Sequence, residues 1–347
     1  MKKYLLILSL FIFSCEEEIT LELPSSNNQL VVEGAIESGY PPYVILTKNQ
    51  GYFDEINENT FSDIFVKDAD SVVVWYINDS GEKEIKELKL IPEIISDSLL
   101  SSDFPVYTIN DINELVNIIE DPGNYTFSAP GRTYFLEIHW NNNIYSSSTT
   151  IPTPTPLDCL WVEKNETAEK EHKCDIRAIY SDDGSVQNNI LIKTKRLEHW
   201  RKDSLTGSAV NEPDDMMKIV DAGSDVLING ESFETYFPRP SENGFPTGKW
   251  AAERFSVDEN NDSIFLPNDV VLVKFCQIDE PSLKFWRSLV RQSSTNGNPF
   301  AEPTNLVGNI NNGLGIWTGY GSVYYQIPII KGTVIFEQNK PEIIDIF

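Results

Sequence analysis

Two cysteines near the middle of the chain are the first candidates for covalent or metal chemistry. Cys159 and Cys174 flank a polar stretch, and His172 lies two residues before the second cysteine. Two strands joined by that stretch could place the thiols opposite each other, which favours a disulfide, with free thiols as the alternative. A metal site on these three residues lacks a fourth ligand and is the weakest interpretation. Cys276 lies in an apolar run and is predicted to be a buried strand residue.

An acidic segment offers oxygen ligands of the kind that calcium prefers. Asp258, Asn260 and Asp262 stand at alternating positions. However, Ser263 occupies the place of the turn glycine, and Pro267 stands where a helix should follow. We therefore interpret this segment as an acidic surface turn, with a calcium site as the alternative, and we predict no metal and no cofactor.

Residues 309–319 are rich in asparagine and glycine and could suggest a phosphate-binding loop. No Gly-Lys-Ser/Thr follows, so that interpretation fails. We expect a loop with positive φ at Gly313 and Gly315. Aromatic side chains dominate many interfaces. The candidates here for a ligand or partner surface are Trp317, Tyr320 and Tyr324.

The three histidines do not fall in a recognisable catalytic motif. They are His139, His172 and His199, and none belongs to a nucleophile elbow or a zinc-protease signature. Two carboxylates far apart in sequence could still converge as a glycosidase pair, but nothing in the sequence selects a pair. We expect no catalytic residue, and a carbohydrate-active hydrolase stays as an alternative.

The first residues are typical of an export signal. Lys2 and Lys3 precede an apolar run over 4–13 that is too short to span a bilayer, which takes ~20 residues. Ser14 and Cys15 then resemble the lipobox of bacterial lipoproteins, in which the signal is cut before the cysteine and fatty acyl chains such as palmitate are attached. An ordinary secretory signal and an uncleaved anchor are the alternatives. Several acyl chains on Cys15 would give a stable membrane anchor.

The acidic residues after Cys15 bear on where the protein is displayed. Residues 16–18 are all glutamate, and such a run resembles the signal that sends Bacteroidota lipoproteins to the cell surface. The alternative is a solvated charge run within a tether over residues 15–28. Asp-Ser-aliphatic sequences also resemble Bacteroidota O-glycosylation acceptors, and the candidates in loops are Ser204 and Ser263.

The composition is strongly acidic but typical of a folded protein. There are 53 acidic and 27 basic residues, for a formal net charge of −26. Such a charge repels nucleic acid, so we exclude a nucleic-acid partner. Hydrophobic residues make up 40% of the chain, which argues against disorder.

The pattern of elements predicts a mostly β protein in two domains. Residues 29–150 read as short strands and turns, which suits an immunoglobulin- or transthyretin-like sandwich. Alternating prolines over 151–156 predict an extended, semi-rigid linker. Residues 157–347 then predict a second β-rich domain with one or two short helices. We predict a helix capped by Asp111, a second helix that begins over 279–282, and a turn-rich polar region over 203–249.

Several blocks of the sequence resemble a Bacteroidota lipoprotein family that is described only as domain of unknown function 4249. They cover residues 30–34, 41–47, 68–72, 130–136, 151–154, 298–303 and 309–317. The resemblance implies an outer-membrane lipoprotein that is often encoded beside a TonB-dependent transporter. It implies no enzyme activity and no catalytic residues.

Our leading hypothesis is therefore a surface-exposed, non-enzymatic outer-membrane lipoprotein. It would be held by Cys15 and would assist a TonB-dependent transporter, either by capping it or by capturing a ligand. A structural or adhesive surface protein is the second hypothesis, and a carbohydrate-active hydrolase is the third.

Overall fold

The computed structural model describes residues 29–50, 60–91, 105–164, 173–226, 229–237, 250–251, 254–257, 263–295 and 306–346. Within these residues the protein is mostly β, which confirms the predicted fold class. The first strands are β1 (Leu30–Glu37), β2 (Tyr43–Lys48), β3 (Ser71–Ile77), β4 (Lys83–Leu90), β5 (Tyr107–Thr108), β6 (Thr133–Trp140), β7 (Asn143–Thr150), β8 (Cys159–Lys164), β9 (Lys173–Ser181) and β10 (Asn189–Glu198).

The remaining strands follow in order along the chain. They are β11 (Trp200–Lys202), β12 (Ala209–Asn211), β13 (Lys218–Ser224), β14 (Ser232–Phe237), β15 (Trp250–Ala251), β16 (Arg254–Val257), β17 (Ser263–Leu266), β18 (Val270–Ile278), β19 (Leu314–Pro328) and β20 (Val334–Ile335). The helices are α1 (Thr60–Asp63), α2 (Ile112–Glu120), α3 (Glu280–Thr295) and a 3₁₀ helix, Ile343–Ile346.

One large sheet joins the two halves of the chain. It has 11 strands in the order β13-β10-β18-β19-β1-β2-β5-β4-β3-β6-β7. β1 pairs antiparallel with β2 and parallel with β19. The segments on either side of 151–156 therefore share a sheet, which the sequence pattern did not indicate. The division into two domains and the sandwich architecture of the first half stay predictions.

The predicted linker lies against the sheet. Ile151 and Leu157 are buried, the Thr155 amide donates to Gln277 Oε1 at 2.8 Å, and the Leu157 amide donates to the Tyr325 hydroxyl at 2.7 Å. A Cβ at Gly321 would lie 2.2 Å from the Pro152 carbonyl oxygen, so only glycine allows this crossing. The proline-rich segment is thus extended, as predicted, but it is packed on β18 and β19.

β18 is covered on both faces. A smaller sheet, β14-β9-β8-β20, packs over one face around Val271, Val273 and Phe275. On the opposite face, Cys276 and Ile278 pack with residues of α3. A strand buried on both faces reads as a nearly continuous hydrophobic run, as this one does. The prediction that Cys276 is a buried strand residue is confirmed.

Both predicted helices are present. Asp111 caps α2 by accepting hydrogen bonds from the amides of Asn113 and Glu114. Asp279 caps α3 through the Ser282 amide at 3.0 Å, and its other carboxylate oxygen accepts from the Thr149 hydroxyl at 2.7 Å. These contacts fix the start of α3 over the large sheet and thereby position Trp286.

Two local predictions are corrected. Residues 203–249 are not simply a turn-rich region, because β12, β13 and β14 lie within them. Gly315 has the expected positive φ of 99°, but Gly313 does not, and Asn312 takes the left-handed conformation instead at 65°. In Gly313 the missing Cβ gives room for the Leu30 carbonyl oxygen and the Tyr145 ring, each 3.0 Å from where it would lie.

Candidate functional site

Several predicted sites lie outside the described residues. These are Cys15 with its tether, His172, and the calcium candidates Asp258, Asn260 and Asp262. Ser263 begins β17, but its side chain lies outside the described part. Ser204 is exposed in the turn between β11 and β12, beside Leu205, which is 93% exposed. Ser204 is therefore accessible to modification, whereas the glycosylation itself stays a prediction.

The predicted Cys159–Cys174 disulfide is wrong. In the antiparallel pair β8–β9, Cys159 lies opposite Ile179 and Cys174 lies opposite Lys164. The two cysteines are thus at opposite ends of the pair, about 17 Å apart at ~3.4 Å per residue. A disulfide requires Cα atoms within about 7 Å. Among the described residues no cluster of three histidine, cysteine or acidic side chains could hold a metal ion.

The predicted aromatic surface of Trp317, Tyr320 and Tyr324 is also wrong. All three side chains are buried, at 0%, 1% and 3% exposure. The glycine-rich segment was interpreted as a loop, but from Leu314 onwards it forms β19, which lies inside the large sheet. Tyr320 and Tyr324 are instead part of a buried polar network, which is the first candidate site.

The centre of this network is the carboxylate of Glu37, which is 4% exposed. Lys274 Nζ donates to Glu37 Oε2 at 2.5 Å, and the Tyr324 hydroxyl donates to Glu37 Oε1. Lys274 Nζ also lies 4.4 Å from the centroid of the Tyr320 ring. A buried charge requires a partner of this kind, because burial without one costs several kcal/mol.

The strand register explains why these residues meet. Lys274 on β18 is opposite Tyr324 on β19, and Glu37 on β1 is opposite Tyr320 on β19. Side chains two residues apart on a strand share a face. The parallel pairing of β1 with β19 thus places Glu37 next to Lys274, although the two residues are far apart in the sequence.

A second lysine stands beside the network on the same face. Lys193 on β10 is opposite Lys274 on β18. Lys193 is half-buried, and its Nζ lies 4.5 Å from the Trp286 ring centroid and 5.3 Å from that of Tyr320. A cation over an aromatic face is stabilised by the ring quadrupole. α3, which carries Trp286, therefore covers this end of the network.

The network changes the acid–base properties of its members. Burial, with repulsion from Lys274 second, lowers the pKa of Lys193 to about 8. Burial raises the pKa of the Cys276 thiol to about 11 and keeps the pKa of Tyr320 and Tyr324 well above its ordinary value. The phenols and the thiol are thus neutral near pH 7, whereas Lys193 loses its proton at a lower pH than an ordinary lysine.

A groove on the opposite side of β10 is the second candidate site. Its volume is about 500 Å³, and its lining includes Arg196, His199, Asp214 and Met216. Arg196 clamps Asp214 with two hydrogen bonds, Nε to Oδ2 at 3.1 Å and Nη2 to Oδ1 at 2.7 Å. Lys218 Nζ also donates to Asp214 Oδ1, at 2.8 Å. The volume is within the usual range for small-molecule sites.

The charges of the groove are fixed by one another. Burial opposes the ionisation of Asp214, but the hydrogen bonds from Arg196 and Lys218 outweigh it and lower its pKa to about 2. His199 Nδ1 lies 3.2 Å from both carboxylate oxygens of the fully buried Asp269, so it acts as the donor of that contact. Asp214 stays ionised at neutral pH and is unsuited to act as a general acid.

Sequence reasoning missed both sites, although the buried network leaves a signal. Lys274 interrupts the apolar run of β18, and a lysine inside such a run requires a buried partner. Lys193 comes directly after the three apolar residues 190–192 of β10. The partners could not be named from sequence, because Glu37 lies 237 residues before Lys274.

Of two comparisons with known proteins, one identifies a family for the chain. A family model described as a domain of unknown function, DUF4249, matches residues 16–325 and so spans both candidate sites. A search of curated proteins finds no match. No helix within the described ranges is long and apolar enough to cross a membrane.

Proposed function

The chain belongs to the DUF4249 family, and from this premise we propose that it is a non-enzymatic lipoprotein of the outer membrane, exposed at the cell surface, that serves a TonB-dependent transporter. Cys15 is the lipidation site in this proposal, and the chain captures a ligand or docks on the transporter. The basic start, the short apolar run and Ser14-Cys15 support the anchor.

The observation that carries the binding role is the groove beside β10. Its volume of about 500 Å³ suits a small ligand or a protruding loop of a partner. Its charged side chains are held in place by Arg196–Asp214, Lys218–Asp214 and Arg201–Glu212 ion pairs. Groups that are fixed before binding lose little entropy on binding, which favours recognition. Asp214, which Arg196 and Lys218 keep ionised, is unsuited to the general-acid role of a glycosidase pair.

The test of the transporter role is co-purification from detergent-solubilised outer membranes. Met216 lines the groove and is 50% exposed, so Met216→Arg should fill the groove without disturbing the core. Val210, which is 37% exposed on β12 and does not line the groove, gives Val210→Arg as the matched control. We expect the wild type and the control to recover a β-barrel transporter and Met216→Arg to lose it. Recovery of the lipoprotein alone under mild detergent would contradict the proposal.

The anchor has its own test. Cys15→Ala should abolish incorporation of an alkyne-labelled palmitate and release the chain from the membrane fraction. A Cys159→Ala variant controls for nonspecific labelling of thiols. Unchanged retention of Cys15→Ala on the envelope would overturn the lipid-anchor assignment.

A structural or adhesive role is the second candidate, and one feature favours it. Trp75, Phe135 and Ile85 lie in one row on the outward face of β3, β6 and β4, and Ile85 is 53% exposed. The rings of Trp75 and Phe135 are stacked at 4.2 Å. Outward aromatic side chains are typical of interaction surfaces. Loss of surface adhesion in Trp75→Ser with transporter recovery unchanged would favour this role.

A further inference from the structure

Lys193 and Lys274 face each other on neighbouring strands but differ in their partners. The ammonium of Lys274 is neutralised by Glu37 at 2.5 Å. Within the described part of the chain Lys193 Nζ makes no hydrogen bond, and it lies over the rings of Trp286 and Tyr320. The Trp286 indole N–H is also buried without an acceptor among the described residues.

The surroundings of Lys193 favour its uncharged form. The same face is lined by Leu191, Cys276 and Trp286, all buried, and the neighbouring ammonium of Lys274 repels a second positive charge. A lysine that is desolvated and lies next to another cation is the arrangement that activates an amine as a nucleophile. The side chain is half-buried, so part of it still reaches solvent.

We propose that Lys193 is a carbonyl-reactive amine that captures an aldehyde or ketone as a Schiff base under α3. The amine lone pair adds to the carbonyl carbon, and one N–H proton passes to the oxygen to give a carbinolamine. The hydroxyl then leaves as water with the second amine hydrogen, and the C=N bond forms. No oxidant or reductant is needed, and the addition of water reverses the step.

The charges around Lys193 favour a neutral carbonyl compound over an anion. Burial and then repulsion from Lys274 lower the pKa of Lys193, and the nearby carboxylates of Glu33 and Glu37 offset part of that shift. With Lys193 as the neutral amine, Lys274 and the two glutamates leave the cluster with one excess negative charge, which disfavours a carboxylate ligand. The Trp286 N–H offers a donor that could stabilise the carbinolamine oxygen. This inference does not depend on the proposed function, because the groove lies on the other face of β10.

The test uses the full mature chain with propanal and sodium cyanoborohydride, which reduces an imine to a stable secondary amine. Peptide mass spectrometry reads the modified lysines. Lys284 on α3 is the internal reference, because it is exposed and paired with Glu280. At pH 7.4 we expect Lys193 to be propylated at least about tenfold faster than Lys284, because more of its amine is neutral.

The pH dependence separates this proposal from simple exposure. The rate at Lys193 should level off above pH 8, whereas simple exposure of a lysine with an ordinary pKa gives a rate that keeps rising towards about pH 10. Labelling in 8 M urea should remove the difference, and Lys193→Arg should remove the fast site. A Met216→Arg protein should still be labelled, so failure of the transporter proposal would leave this one standing. Labelling of Lys193 no faster than that of Lys284 in the folded protein would overturn it.

Discussion

Lys193 and Arg196 are basic side chains on opposite faces of strand β10, and they have different partners. Arg196 enters the groove and is clamped by Asp214, whereas Lys193 faces α3 and rests on two aromatic rings. Asp214 is near Arg196 in sequence and arrives with the neighbouring hairpin. On the Lys193 face the carboxylate of Glu37 pairs with Lys274. Arg196 is therefore held in place by its own carboxylate partner. The amine of Lys193 stays available for reaction, because Glu37 pairs with Lys274 instead.

The largest effect should come from breaking the buried pair. Glu37→Ala leaves the ammonium of Lys274 and the hydroxyl of Tyr324 without their acceptor. We expect the free energy of unfolding, measured by urea denaturation, to fall by about 3–5 kcal/mol. The matched control is Glu37→Gln with Lys274→Met, which removes both charges and should cost far less. Equal losses in the two proteins would mean that the pair is not a charge network.

Asp214 should produce the next effect, and it should depend on pH. Its pKa is lowered to about 2 in the folded protein, so its contribution is present above pH 4 and is lost as the pH falls towards 2. Between these values the wild type should lose about 2 kcal/mol of stability relative to Asp214→Asn. Urea titrations at several pH values measure the difference. A difference that does not change with pH would show that Asp214 is not held by Arg196 in solution.

Lys193→Met should have a smaller effect of opposite sign. It removes a charge that burial disfavours, so we expect a gain of about 1 kcal/mol at pH 7. The folded protein holds this proton less tightly than the unfolded chain, since the pKa is about 8. Wild-type stability should therefore rise relative to the variant from pH 8 until the unfolded lysine also loses its proton. A destabilised variant with a flat pH profile would assign Lys193 an ordinary packing role.

The smallest effect should come from an exposed pair. Lys284 Nζ lies 2.7 Å from Glu280 Oε1, and 59% and 70% of these two side chains are exposed. Solvent screens such pairs, so Lys284→Met should leave the urea midpoint unchanged within error. If Lys284→Met lowered the free energy of unfolding as much as Glu37→Ala, the expected difference between buried and exposed ion pairs would be contradicted.

Local signals allowed much of the fold to be predicted. Asp111 predicted the start of α2, and residues 279–282 predicted the start of α3. β19 was misjudged because its glycines suggested a loop, whereas at Gly319 and Gly321 they make room for backbone that crosses the strand. The pairing of β1 with β19 depends on contacts between distant residues, which no local pattern encodes.

The place of β1 has a mechanical consequence. The strand that follows the N-terminal segment is not at an edge of the large sheet, since β2 and β19 flank it. Tension that pulls on the chain before Leu30 along the axis of β1 would load both ladders of hydrogen bonds at once. Such shear resists rupture better than unzipping, in which bonds break one after another. A protein that is anchored through its first residues would therefore resist unfolding when the surrounding flow pulls on it.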